Sequence, residues 1–220
     1  MYFVIEGVIG VGKTTLVRLL QPIFQANTIL EVFEENPFLS DFYADRARYA
    51  FQTQIFFLLS RYSQQQRSIP QLVESGQHLI SDYSFEKDAL FARINLTGDE
   101  LSMYYRVHEA LAERIIQPDL VVYLRASTDT LMQRIAMRDR PYERHMERSY
   151  IAELNAAYDS FYIEKKDHPS PILTIDTNDI NYVNNADDLR QVANRIRQTL
   201  QVTPFQPELP ISSGADESQA

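Results

Sequence analysis

Near its start the chain reads Gly7-Val8-Ile9-Gly10-Val11-Gly12-Lys13-Thr14-Thr15. The run fits the pattern G-x-x-x-x-G-K-S/T and lies between an apolar segment, 2–6, and an amphipathic segment that starts at Lys13. In such a loop glycines let backbone N–H groups point at phosphate oxygens, and the helix N-terminus adds partial positive charge. The lysine reaches the β- and γ-phosphates and the hydroxyl ligates Mg²⁺. The sequence therefore predicts a site for ATP and Mg²⁺ that is built from Gly7, Gly10, Gly12, Lys13, Thr14 and Thr15.

Five short apolar runs alternate with segments of helical period and predict strands at 2–6, 28–33, 78–82, 120–124 and 172–175. Most are continuously apolar, as in parallel strands that are covered on both faces. Helices are expected from Lys13, over 46–66, behind a capping box at 97–100, after a Ser127 cap, over 148–163 and over 187–200, with Pro22 kinking or ending the first. This alternation predicts a three-layer α/β fold with a five-stranded parallel sheet.

Composition limits the function classes. The 220 residues are 45% apolar and carry a net charge of −9, which disfavours a nucleic-acid polymer as a partner. There is no cysteine for a disulfide or a thiolate metal site, and the four histidines are scattered. No apolar run is long enough to span a membrane, and a strand-like run at residue 2 leaves no room for a signal peptide. We expect a cytoplasmic protein with one domain, 1–200, and a disordered tail, 201–220.

A run of acidic residues follows the second predicted strand and reads Glu31-Val32-Phe33-Glu34-Glu35-Asn36-Pro37-Phe38-Leu39. A carboxylate beside a phosphate loop would repel an anionic acceptor, whereas it could accept the proton of a neutral hydroxyl that attacks phosphorus. The guanine-reading pattern N-K-x-D of nucleotide switches does not occur. The sequence thus favours phosphoryl transfer to a hydroxyl group.

An arginine-rich segment indicates a lid over the phosphates, at about 134–147. Arg134 and Arg138 lie one helical turn apart, and Arg140 follows at the helix end. Three arginines so placed can neutralise the charge that spreads onto phosphate oxygens during transfer. The alternative is a solvated basic face, but three of the 21 basic residues of an acidic chain fall within these seven positions.

These segments, with the helical run 49–61 and Asp82-Tyr83-Ser84 at a strand end, occur in the order seen in deoxyribonucleoside kinases. Over about residues 1–200 the chain most resembles the bacterial deoxypurine kinase branch. The resemblance implies a P-loop kinase fold, transfer from ATP to the 5′-hydroxyl of a deoxynucleoside with a purine preferred, and a homodimer, for which the helix 101–115 could supply a face or could equally be core.

The resemblance also implies roles in catalysis. Glu31 matches the general base, although Val32 stands where proline is usual, and Glu34 remains an alternative. Asp82 would hold Mg²⁺, directly or through water, together with Thr14. Lys13 and Arg138 would stabilise charge in the transition state, and the nucleotide would also contact Arg134 and Arg140.

The implied acceptor-binding residues are Glu31, Tyr43, Gln54, Arg61, Tyr83, Asp88, Phe91 and Glu143. Gln54 and Asp88 would read the base, although a one-residue slip would exchange Asp88 for Lys87. Phe91 would stack on the base, while Tyr43 and Glu143 would hold the 3′-hydroxyl. Tyr83 departs from the arginine that is usual in relatives, and Lys87 and Arg61 are the candidates to replace the lost cation.

Two other functions remain open at this point. A thymidylate-kinase-like enzyme would need a phosphate-binding arginine near Glu31, and residues 31–39 contain none. A non-catalytic nucleotide-binding module would leave Glu31, Gln54 and the arginine cluster without a joint purpose.

Overall fold

The computed structural model describes residues 1–144 and 146–202, so all but the first two residues of the predicted tail, 201–220, lie outside the described residues. Its strands are β1 (Tyr2–Gly7), β2 (Asn27–Ile29), β3 (Leu79–Ser81), β4 (Leu120–Arg125) and β5 (Ile172–Asp176). They form one parallel sheet in the order β2-β3-β1-β4-β5. The predicted five-stranded parallel sheet is therefore confirmed.

Helices cover both faces of this sheet. They are α1 (Lys13–Phe24), α2 (Leu39–Ala44), α3 (Arg46–Glu74), α4 (Lys87–Asn95), α5 (Gly98–Ala112), α6 (Thr128–Arg138), α7 (Arg148–Asp159) and α8 (Ala186–Thr199). Successive side chains of a strand point to opposite faces. Phe3 and Ile5 of β1 belong to the large core cluster that includes α1, whereas Tyr2 and Val4 pack in a second cluster with Ile69 of α3. The central strand is thus buried on both sides, which is the expected three-layer arrangement.

The second strand is shorter than predicted, because it ends at Ile29 rather than at residue 33. Beyond it the backbone groups bond to side chains instead of to a neighbouring strand. The Leu30 carbonyl accepts from the Gln64 side chain at 3.0 Å, and the Glu31 N–H donates to Asp82 Oδ1 at 2.7 Å. A short 3₁₀ turn, Phe33–Glu35, follows. The chain therefore leaves the sheet just before the acidic run.

Three helix predictions also need correction. The long helix α3 runs through Pro70 to Glu74, beyond the predicted end at residue 66, because Ile69 near its far end is buried in the core. The predicted capping box is not formed, since the Thr97 side chain makes no cap hydrogen bond and Gly98 has a left-handed φ of +56°. The helix predicted over 148–163 ends at Asp159 and continues as a π-helical turn.

Other helix predictions agree with the structure. Ser127 Oγ accepts a hydrogen bond from the Thr130 N–H and caps α6 as expected. Helix α1 contains Pro22 and ends two residues later, at Phe24. Tyr104 of α5 is fully buried and belongs to the core.

Within residues 1–144 and 146–202, no helix is both long enough and apolar enough to cross a membrane.

The parallel topology determines where a site can form. In an open parallel sheet, ligands bind outside the carboxyl ends of the strands, where the chain order reverses. The glycine-rich loop follows β1, the acidic run follows β2 and Asp82 follows β3. Since these three strands are neighbours in the sheet, their ends lie side by side.

Candidate active site

Asp82 connects three strand ends at the carboxyl edge of the sheet. Its Oδ2 accepts a hydrogen bond from the Thr14 hydroxyl at 2.5 Å, and its Oδ1 accepts one from the Glu31 N–H at 2.7 Å. A hydroxyl and a carboxylate in contact are oxygen donors of the kind that Mg²⁺ prefers, with water and phosphate completing its shell. Thr14 and Asp82 therefore fit a magnesium ion. The described part of the chain has no cluster of three or more His, Cys, Asp or Glu side chains that could hold a metal alone.

The glycine-rich loop is closely packed against the rest of the site. Gly12, at the N-terminus of α1, has a φ of +103°, and a β-carbon there would collide with the Tyr182 hydroxyl. That hydroxyl donates to the Val11 carbonyl at 3.3 Å. Lys13 Nζ donates to the Gly7 carbonyl at 2.7 Å. Burial, and then the Lys87 ammonium, lower the pKa of Lys13 to about 8.

Glu31 lies between two cations. Its Oε1 accepts hydrogen bonds from Nε and Nη2 of Arg61, with the Nε–Oε1 distance 2.9 Å, and its Oε2 accepts one from Lys87 Nζ at 2.8 Å. Burial alone would raise the pKa of this carboxyl, but Arg61 and Lys87 outweigh it and hold the pKa well below its usual range. Glu31 is therefore an ionised carboxylate that is fixed at both oxygens.

Arg61 is paired with a second carboxylate in addition to that of Glu31. Its Nη1 pairs with Asp88, which is completely buried on α4. These ion pairs form a chain of alternating charges in the order Asp88, Arg61, Glu31 and Lys87. It runs from α4 through α3 to the end of β2 and back to α4. Buried charges persist in folded proteins only when they are paired in this way.

One cavity of about 250 Å³ joins the phosphate loop to these carboxylates. Of the residues singled out in the sequence, those that line it are Gly10, Gly12, Lys13, Thr14, Thr15, Glu31, Tyr43, Gln54, Arg61, Asp82, Lys87, Phe91, Arg138, Arg140 and Glu143. Gln54 is buried but reaches the wall, so its amide can offer both a donor and an acceptor to a ligand. Phe91 and Tyr43 add aromatic surface.

The lid arginines fall into two groups. Arg138 donates to both oxygens of Glu143, at 2.6 and 2.7 Å, and Arg140 lies 3.7 Å from the same carboxylate and stacks over the Phe33 ring. Arg134 is fixed elsewhere, since it donates to the Thr177 carbonyl at 2.7 Å. Arg138 and Arg140 therefore line the cavity, while Arg134 lines a neighbouring one.

That neighbouring cavity, of about 610 Å³, lies between the phosphate loop, α6 and the segment 178–184. It shares Gly10, Gly12, Thr15 and Arg138 with the first cavity. The two cavities therefore meet at the phosphate loop.

Several predicted residues do not line the first cavity. Tyr83 is fully buried, and its hydroxyl donates to the Gln64 side chain at 2.6 Å. Asp88 is covered in its pair with Arg61. Gly7 lies at the end of β1, and a β-carbon there would collide with the Leu124 carbonyl. Tyr83 therefore does not take over the role of the usual arginine in the cavity. Lys87 and Arg61, the two suggested substitutes, both contact Glu31.

The structure also places at or beside this site three residues that the sequence did not single out, Arg18, Thr177 and Tyr182. Arg18 lines the cavity one helical turn after Thr14, a spacing that could have revealed it. Tyr182 and Thr177 lie after β5, and no local pattern marks them as neighbours of residues about 170 and 43 positions away.

A parallel sheet, a glycine-rich loop with Lys13 and Thr14, an acidic strand end and an arginine-bearing helix define the class of P-loop phosphotransferases. Residues 3–201 match the family described as deoxynucleoside kinase, and the chain belongs to this family. The family expected from the sequence is thereby confirmed.

Known proteins of similar sequence carry related names. The chain is 32% identical to the deoxyguanosine kinase of Bacillus subtilis (strain 168), over 90% of this chain and 97% of that protein. It is 32% identical to the deoxyadenosine kinase of Dictyostelium discoideum, over 73% and 66% of the two chains. The structure of deoxyadenosine kinase from M. mycoides with bound dCTP has a TM-score of 0.76 over 90% of this chain and all of that one. At 24% identity, that likeness supports the fold.

Proposed function

We propose that the protein transfers the γ-phosphoryl group of ATP to the 5′-hydroxyl of a deoxynucleoside and so acts in nucleotide salvage. The observation that carries the proposal is the position of Glu31, which lines the same cavity as Lys13 and Thr14 of the phosphate loop. A carboxylate there can accept the proton of an entering hydroxyl. Family membership and the names of the relatives agree with this reaction.

The charges around Glu31 favour an uncharged acceptor over a nucleoside monophosphate. Arg61 pairs with Glu31 and with Asp88, and Lys87 pairs with Glu31, so two positive charges face two negative ones. No cation of this chain of charges is therefore left for a phosphate on the acceptor. A thymidylate-kinase-like reaction would need one.

The side chains allow an in-line transfer. Lys13 and the loop N–H groups hold the donor phosphates, and Arg138 and Arg140 reach the transferring group from the lid. Bound at Thr14 and Asp82, Mg²⁺ would supply charge neutralisation at the β- and γ-phosphates. Glu31 orients the 5′-hydroxyl and takes its proton while the oxygen attacks the γ-phosphorus. The bond to the β-phosphate oxygen breaks, and ADP leaves.

The acceptor would occupy the part of the cavity away from the loop. Gln54 can read a base edge, Phe91 can stack on the ring, and Tyr43 and Glu143 can hold the 3′-hydroxyl. Asp88 would act on the base through Arg61, because the guanidinium covers it. A deoxypurine is the preferred acceptor in this proposal, since relatives in Bacillus subtilis and Dictyostelium discoideum are a deoxyguanosine and a deoxyadenosine kinase.

The proposal also covers the phosphate donor, the location in the cell and the oligomeric state. ATP is the donor, and its base would lie in the second cavity, beside Tyr182. The protein would act in the cytoplasm, where ATP is available. It would work as a homodimer, and light scattering should then give twice the 25.6 kDa mass of one chain.

The test uses an acceptor that keeps the base but lacks the reacting hydroxyl. With γ-labelled ATP, 2′-deoxyguanosine should become labelled at the 5′-position, whereas 2′,5′-dideoxyguanosine should bind but remain unlabelled. Label on the 3′-oxygen, or ATP hydrolysis that is indifferent to the nucleoside, would contradict the proposed function.

A further inference from the structure

Lys87 is a buried cation at the wall of the catalytic cavity. It is the first residue of α4, is only 3% exposed and lines the cavity next to Glu31. Its ammonium lies 5.9 Å from the centre of the Tyr83 ring and 6.0 Å from that of the Phe91 ring. A lysine in such surroundings needs a charged partner, because burying an unpaired ammonium is costly.

The two oxygens of Glu31 are not equivalent. An ionised carboxylate can accept about two hydrogen bonds at each oxygen. Oε1 receives two N–H groups of Arg61, which leaves it saturated. Oε2 receives Lys87 Nζ at 2.8 Å and no other bond from the described residues. One acceptor position of Oε2 therefore remains for a ligand in the cavity.

We propose that Lys87 is a positioning residue for phosphoryl transfer, which holds Oε2 of Glu31 as the atom that receives the acceptor's proton. This inference rests on the function proposed above. In the step, the O–H bond of the acceptor breaks and its proton goes to Oε2. The freed electron pair forms the O–P bond, and the bond from phosphorus to the β-phosphate oxygen breaks with its electrons leaving on ADP. Lys87 takes no part in the proton transfer and acts only through its contact with Glu31.

Neighbouring groups cannot take over this task. Arg61 is committed to Oε1 and to Asp88. The Tyr83 hydroxyl, which is uncharged, donates to Gln64. Loss of Lys87 would leave Oε2 free to rotate away, while Arg61 would still hold the carboxylate in the cavity. The expected defect is therefore in kcat, with smaller changes in the KM values.

The experiment compares Lys87→Met, Lys87→Arg and Lys87→Ala with Lys166→Met, which removes an exposed lysine that does not line the cavity. Lys87→Met should lower kcat by roughly 10²-fold, in the lower part of the range for a positioned base, with the KM for ATP changed less than about threefold. Lys87→Arg keeps the charge and should stay within about tenfold of the parent. Added ethylammonium should restore activity to Lys87→Ala at least about tenfold, and saturably, because it can enter the vacated space beside Oε2.

Amine rescue separates positioning from a purely structural role, since a misfolded variant does not recover with a small ammonium ion. If the parent makes no deoxynucleoside monophosphate, the proposed function fails, and this inference fails with it. If the parent turns over but Lys87→Met keeps kcat within about threefold, only the role of Lys87 is overturned. A loss in Lys87→Ala that ethylammonium does not restore, with Lys87→Arg equally inactive, overturns it as well.

Discussion

Two properties of Glu31 have opposite effects on its proposed action as a general base. Arg61 and Lys87 hold its pKa well below the usual range, which weakens its affinity for a proton. The same contacts fix both oxygens in the cavity. Phosphoryl transfer has a loose transition state, so catalysis depends mainly on positioning and electrostatics rather than on strong proton abstraction. A firmly held but weak base is consistent with that chemistry.

Substitution of Glu31 tests whether this carboxylate is the catalytic one. Glu31→Gln should lower kcat by roughly 10²–10⁴-fold, because the amide cannot accept the proton, with a smaller change in nucleoside affinity. Steady-state kinetics at varied deoxynucleoside concentration measures both. Glu35→Gln, at an exposed position of the 3₁₀ turn that follows Glu31, is the control and should behave as the parent. A large loss in Glu34→Gln with little change in Glu31→Gln would contradict the assignment.

At the scale of elements, the phosphate loop depends on Tyr182 from the far end of the chain. Gly12→Ala would introduce a β-carbon that meets the Tyr182 hydroxyl, at a φ of +103°. Gly76 also has a left-handed φ, +69°, but has open space around it. Gly76→Ala should therefore cost only backbone strain, about 1–2 kcal/mol of unfolding free energy.

Gly12→Ala should lower the unfolding free energy more than Gly76→Ala and should also raise the KM for ATP. Urea unfolding of both variants gives the comparison. In Gly12→Ala combined with Tyr182→Phe, which removes the colliding hydroxyl, part of the loss should return. Equal destabilisation by the two alanines would mean that the loop does not pack on Tyr182 as described.

The lid helix α6 presents Arg138 to the cavity, where it is held by Glu143. Because a lid arginine acts mainly on charge that develops during transfer, Arg138→Ala should lower kcat far more than it raises the KM for ATP. Arg144→Ala is a matched control, since Arg144 is exposed and pairs with Asp139. An unchanged kcat with a raised KM for ATP would mean that Arg138 contributes only to the binding of ATP and not to the transition state.

The sequence predicted those elements whose local pattern also determines their conformation. The phosphate loop is such a case, because its glycines, lysine and threonine define both the turn and the helix that follows. The predicted end of β2 was wrong because the backbone groups of Leu30 and Glu31 bond to the side chains of Gln64 and Asp82, which are distant in sequence.

The same limit applies to the site. The pairing of Lys87 with Glu31, 56 positions apart, has no local signal and appears only in the fold. Spacing alone also could not show that Tyr83 and Asp88 are covered rather than in the cavity wall. Tertiary contacts decided these placements, while the residue types had indicated the chemistry.

At the scale of the whole molecule, an acidic chain builds a local site that binds a highly charged nucleotide. The net charge is −9, yet Lys13, Arg18, Arg138 and Arg140 line one cavity. In the proposed reaction these basic groups would surround the donor phosphates, and the balanced charges of Glu31, Arg61, Lys87 and Asp88 would leave the acceptor half of the cavity neutral. That division is the basis for a nucleoside, rather than a nucleotide, as the acceptor.

The most direct measurement of this division is kcat/KM at one ATP concentration for the four deoxynucleosides, the matching ribonucleosides and the deoxynucleoside monophosphates. We expect deoxyguanosine or deoxyadenosine to have the highest value, deoxycytidine to follow, and thymidine to be the poorest deoxynucleoside. Buried polar groups that are left unpaired by the wrong base can make such differences steep. The monophosphates should give no measurable transfer. A monophosphate as the best acceptor would contradict the neutral half of the cavity, and thymidine as the best deoxynucleoside would contradict the proposed reading of the base.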